Sequence, residues 1–233
     1  MAQPSPSARS KRPLPWLVPG IVAGAAVPLL ELAYQASTRG LGANPIAEAL
    51  NRLGLLALAL LVACLACTPL QLWFGWNWPI RARRAIGLLA FGYACLHFLL
   101  YAGLDQQLAL GAIATDIVKR PFILVGFLAW LLLIPLALTS TRGALQRLGF
   151  RRWKALHRLV YLCAGLGVVH FVWRVKKDVS EPALYGAVLA VLLLARVVDA
   201  ARRQRRRRSA ARTAQPGRTS PERHASPVAP LGP

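Results

Sequence analysis

Acidic residues are scarce: the 233-residue chain carries 8 Asp and Glu against 29 Lys and Arg. A soluble domain of this length needs far more surface charge of both signs. Here 56% of the residues are hydrophobic and the mean hydropathy is +0.45, which excludes that class and leaves an integral membrane protein. Cysteine is sparse too. Cys64, Cys67, Cys95 and Cys163 all fall inside apolar stretches, so no disulfide framework is implied, and the C-L-A-C pair (64–67) reads as two small buried hydrophobes. No Gly-rich dinucleotide fingerprint follows a strand pattern, and no internal repeat stands out. The formal net charge of +21 is not spread over one folded face. It lies in short loops and one tail, where it marks the cytoplasmic side and meets anionic membrane lipid. No nucleic-acid partner is expected.

Apolar runs at 14–35, 48–71, 84–103, 121–140, 155–174 and 182–200 predict six membrane helices. Each is near the roughly twenty residues needed to cross about 30 Å of hydrocarbon. Arg9, Lys11 and Arg12 precede the first run as in a signal peptide, but the run is long and no small-residue cleavage site follows, so it counts as a span. Pro121 suits the first turn of its helix and Pro135 should kink the same helix near its far end. Basic residues concentrate before span one, at Arg81, Arg83 and Arg84, at 142–154, and after span six. That pattern puts both termini in the cytoplasm. The expected fold class is an all-α bundle of six transmembrane helices. It has a cytoplasmic segment at 1–13, a membrane domain at 14–200 and a basic cytoplasmic tail at 201–233. The tail opens R-R-Q-R-R-R-R and continues rich in Pro, Ser and Ala, which should leave it disordered.

Three of the four histidines, His97, His157 and His170, lie in or at the rim of these spans. An ionisable residue at membrane depth is costly and usually faces a bundle interior, a cofactor or a proton path. His97 and His170 each sit about thirteen residues into a span that starts in the cytoplasm, so both lie roughly 20 Å along, toward the periplasmic side. Two histidines at one level on the third and fifth spans can be the axial ligands of one haem. Phe98, Tyr161 and Phe171 are among the aromatic residues placed to line a porphyrin. His157 lies at the cytoplasmic rim, too far along the helix to share an iron with His170, and a second redox site there would need another partner.

The segments R-R-A-I-G-L-L-A-F-G-Y-A-C-L-H (83–97), D-I-V-K-R-P-F-I-L-V-G-F (116–127), L-T-S-T-R-G (138–143), L-G-F-R-R-W-K-A-L-H-R-L-V-Y (148–161) and H-F-V-W (170–173) resemble the MsrQ (YedZ) family. That family is the haem-binding membrane subunit of the periplasmic protein-methionine-sulfoxide reductase and is related to ferric-reductase-like transmembrane domains. Where it often carries Thr-Gly, this chain has Leu53-Gly54. The resemblance implies one or two b-type haems on His97, His170 and His157, and an FMN. It also implies electron flow across the bacterial inner membrane from the quinone pool to MsrP, a periplasmic molybdopterin catalytic subunit that repairs oxidised methionine. The FMN phosphate would find guanidinium forks at Arg81, Arg83 and Arg84. No substrate-transforming site is expected in this chain. Two rivals remain: a ferric or other metal reductase, which would need a nucleotide-binding domain, and a small transporter using the histidines as proton relays, which should show inverted repeats.

Overall fold

Short polar residues and prolines set where the helices begin. The structure is a computed structural model, and it describes residues 14–175 and 178–213. After α1 (Leu17–Thr38), Asn44 caps α2 (Pro45–Phe74) by accepting from the Ala47 N–H at 3.1 Å, with Pro45 in the first turn, where its missing N–H costs nothing. Gly75 stops α2 in a left-handed conformation (φ 68°) that a Cβ would strain, and donates to the Gln71 carbonyl at 3.0 Å. The chain then turns straight into α3 (Trp78–Leu100), which ends in a π-helical turn at Tyr101–Asp105. A short α4 (Leu110–Lys119) and α5 (Pro121–Leu138) follow. Thr141 caps α6 (Arg142–Leu156) through the Ala144 N–H at 3.1 Å; α7 is Leu159–Arg174 and α8 is Ser180–Thr213. Asp178 accepts from the Ser180 N–H at 2.9 Å, and these bonds to Ser180 hold its carboxyl below the ordinary range.

The described residues contain no strand, and the all-α membrane bundle expected from the sequence is what the chain forms. Among the described residues five helices are long and apolar enough to cross a membrane: α1, α2, α3 with its π turn, α5 and α8. The sixth span is broken. α7 has only 16 residues and joins α6 across a 42° bend, so the run predicted as one helix from 155 is divided at His157 and Arg158.

Three further differences concern charged segments. Pro79 lets α3 start early, so Arg81, Arg83 and Arg84 ride its first turns instead of a loop. Residues 110–119 and 142–154, read as connections, are helical, the second interrupted by a kink at Gly149 (φ 72°, ψ 152°). α8 runs on through Arg202–Arg208 to Thr213, past the expected tail boundary at 201, because alanine and arginine are good helix formers and Arg203 pairs with Asp199 at 2.8 Å. The remainder of the tail, with His224, and the segment 1–13 lie outside the described residues.

The helices pack chiefly as two hairpins, α2 with α3 and α5 with α7. Fully buried Ala82, Ala90 and Ala164 let the backbones approach closely, as small residues do where lipid offers no hydrophobic drive. Leu58, Leu65, Leu133, Val160 and Leu189 share one core cluster. No polar or charged residue among those described is buried, while Leu99 is 62% exposed, the apolar exterior that a lipid-facing bundle requires.

Candidate functional site

His97 on α3 and His170 on α7 face each other across the two hairpins. Their ring centres are 6.2 Å apart and the ring planes cross at 85°. His97 Nδ1 lies 2.9 Å from the Leu50 carbonyl on α2, and His170 Nδ1 lies 2.6 Å from the Phe122 carbonyl on α5. A carbonyl only accepts, so Nδ1 carries the proton in each ring and the lone pair is left on Nε2. Two imidazoles on opposite sides of one metal ion, with bonds of about 2 Å and roughly 1 Å more to each ring centre, would stand about 6 Å apart. The observed spacing meets that requirement.

Glycine makes room for both rings. A Cβ at Gly54 would stand 3.1 Å from His97 Cε1, and one at Gly126 would stand 2.6 Å from His170 Nδ1. Each glycine lies four residues after the carbonyl that holds its histidine. One turn of α2 and one turn of α5 therefore do the same two things: they receive the ring edge and accept its N–H.

Around the pair lies a cavity of about 350 Å³. One end is apolar, with Leu61, Ala90 and Leu133 in its wall. Phe98 stacks on Trp130 along the side, centroids 4.3 Å apart, and Trp130 Nε1 donates to Cys95 Sγ at 3.4 Å. The other end, where α2 and α5 begin and α3 and α7 finish, is polar and includes Asn51, Tyr101, Arg120 and Arg174. A pocket of this kind, mostly apolar with a few convergent polar groups, is the usual form of a cofactor site. The free Nε2 atoms, the spacing of the ring centres and the two glycine notches fit a bis-histidine haem.

His157 is not brought to this pair. It caps α6 at the bend, stacked on Trp153 with centroids 4.0 Å apart. Its Nε2 is 3.1 Å from Thr139 Oγ1, whose own proton goes to the Pro135 carbonyl at 2.6 Å, so Nε2–H donates and Nδ1 is the open nitrogen. Trp153 Nε1 donates to the Thr139 carbonyl at 2.9 Å, which makes Thr139 the post holding both rings. Of the three arginines, Arg83 is half-buried with its charge close enough to bear on His157, whereas Arg81 and Arg84 are exposed.

Residues 53–168 match the ferric reductase like transmembrane component family, a stretch that includes His97 and His157 and stops just short of His170. A protein of Deinococcus radiodurans named protein-methionine-sulfoxide reductase heme-binding subunit MsrQ is 52% identical over 84% of this chain and 96% of its own length. Proteins of the same name from Rhodospirillum rubrum and Herminiimonas arsenicoxydans are 55% and 49% identical over 70% and 74% of this chain, and over 78% and 80% of their own. The chain belongs to the MsrQ family. In this MsrQ chain, counting along the spans brings out His97 and His170 but not Gly126, Asn51 or Arg174. A glycine inside an apolar helix reads as packing, and Arg174 reads as one more loop charge. The one available signal for Gly54 was the Leu53-Gly54 step against the family's Thr-Gly.

Proposed function

We propose that this chain is the haem-binding, electron-transferring membrane subunit of a methionine-sulfoxide reductase. Nε2 of His97 and Nε2 of His170 would hold a b-type haem, which would supply a one-electron carrier within the bundle. The chain's residues set its position: the Leu50 and Phe122 carbonyls fix the tautomer and aim of each ring, Gly54 and Gly126 admit the ring edges, and the apolar wall excludes water. The observation that carries this reading is the 6.2 Å spacing of two rings whose Nδ1 atoms are both engaged. The names of the relatives support it.

In the same reading the protein sits in the bacterial inner membrane with both termini in the cytoplasm and the haem toward the periplasm. Electrons enter from the quinone pool on the cytoplasmic side, where Arg81, Arg83 and Arg84 take the phosphate of an FMN and His157 stands at the entry point, alone or as ligand of a second haem. They leave to a periplasmic molybdopterin subunit, MsrP. One quinol yields two electrons and two protons; one methionine sulfoxide takes up the same number to give methionine and water. A haem held there would carry the electrons one at a time.

The test is a spectrum of the purified chain with pyridine-haemochrome quantification. A six-coordinate low-spin haem, lost in both His97→Ala and His170→Ala, is expected. A colourless protein, or one whose spectrum and haem content survive both substitutions, would refute the assignment.

A further inference from the structure

Arg174 stands out at the polar end of the cavity. It lies one turn beyond His170 on the same face of α7, half-buried, and lines the cavity. Its Nη1 donates to Asn51 Oδ1 on α2, three residues before Gly54. Arg52 pairs with Glu48, Arg120 with Asp116 and Arg203 with Asp199, whereas Arg174 has no carboxylate partner among the described residues. The other charged lining groups are already engaged. Arg120 pairs with Asp116 at 2.7 Å, and Asp105, exposed on the π turn, accepts from Gln106 Nε2 at 2.9 Å. A cation in the last turn of a helix also meets the helix dipole. That does not require an amide on another helix to hold it against a cavity wall.

A guanidinium lining a mostly apolar cavity, with one of its five N–H groups engaged by Asn51, calls for an anion. Resting on the haem reading, we propose that Arg174, oriented by Asn51, binds a propionate carboxylate of the haem. Its remaining N–H groups can offer the two parallel bonds that a carboxylate takes. The site would then hold its cofactor at both ends: the iron by nitrogen from His97 and His170, and the carboxylate by the guanidinium one turn above. Asn51 is a positioning residue. It keeps the fork turned inward, where a free arginine would snorkel to the interface.

The test compares haem b with its dimethyl ester, which keeps the iron and ring but has no carboxylates. The full-length chain in detergent is loaded with each, and release to apomyoglobin is timed. Wild type should release the ester about tenfold faster than haem b, the size expected for losing a charge-assisted contact. Arg174→Gln should release haem b about tenfold faster than wild type and should treat the two haems alike. Arg174→Lys keeps the charge without the fork and should fall between. Equal release of both haems by wild type would overturn the proposal, as would an Arg174→Gln variant that keeps the wild-type discrimination. If that variant does not insert, Arg174→Lys decides: a narrowed gap supports the contact and an unchanged gap overturns it. A wild-type chain that takes up neither haem sinks the haem reading itself, whereas firm binding with equal release sinks the carboxylate contact alone.

Discussion

Gly54 and Gly126 stand in the same relation to the two histidines. Each lies four residues after a carbonyl that accepts a histidine N–H, and each leaves open the space that the same ring occupies. The device occurs once in each hairpin, on two segments without detectable sequence repetition. What recurs is a geometric demand: an imidazole brought edge-on to a helix needs a carbonyl to aim it and a missing Cβ to admit it.

The two notches differ in tightness, which gives a graded prediction. A methyl at 126 would stand 2.6 Å from Nδ1 and 2.8 Å from Cε1 of His170, closer than real atoms approach, whereas at 54 the nearest atom of His97 is at 3.1 Å. Gly126→Ala should therefore displace His170 and abolish low-spin haem, and should cost about 1–3 kcal/mol by overpacking. Gly54→Ala should keep haem with an altered spectrum and weaker retention. Haem-to-protein ratio and thermal unfolding of the two variants check the order, and equal effects would contradict it.

Gly75 tests a different use of glycine. Nothing lies within 4 Å of a Cβ built there, but its φ of 68° is left-handed. Gly75→Ala should cost about 1–2 kcal/mol through backbone strain alone and leave haem content and spectrum unchanged. Denaturation followed at constant haem occupancy reads this out; a change in ligation would mean that the α2–α3 turn sets the histidine spacing.

Thr139 should matter through His157 and Trp153. Thr139→Val removes the oxygen that accepts from His157 Nε2, at a residue that does not line the cavity around His97 and His170. The spectrum of the haem should be retained while its reduction by quinol slows severalfold, and His157→Ala should do the same. Complete loss of haem from either correctly inserted variant would contradict the separation of the two sites.

The arginines at the start of α3 are tested by exchange for lysine. Lysine keeps the positive charge that orients the helix but lacks the planar fork. The Arg83→Lys, Arg84→Lys double variant should insert normally, keep its haem and copurify with less flavin. Unchanged FMN content and affinity would leave these residues as topology signals only.

Much of the fold was legible because spans are long and apolar. Counting residues from their starts was enough to put His97 and His170 on one level, and the structure does bring them together. Breaks in a span are harder to read. Nothing in the apolar run from 155 marks His157 as a bend, because the cause is tertiary: Thr139, on the preceding span, ties down both Trp153 and His157. Charge misled in two ways. The arginines after 201 looked like tail, although arginine sustains a helix well, and Arg174 looked like loop charge, although Asn51 turns it toward the cavity. Gly126 was hidden for a third reason: the atom that matters there is the one glycine does not have.

Each histidine is fastened to a helix of its own hairpin, and the two hairpins meet through one shared apolar core, with the two rings facing each other. On the haem reading, an iron bonded to both rings would add a direct link between them, a rivet between α2–α3 and α5–α7. A ligand that binds only the assembled state stabilises it in proportion to the logarithm of its concentration over its dissociation constant. Haem supply would then bear on stability as well as on electron transfer. In cells short of haem, the bundle would lack that rivet and rest on its shared apolar core alone, a less stable membrane protein.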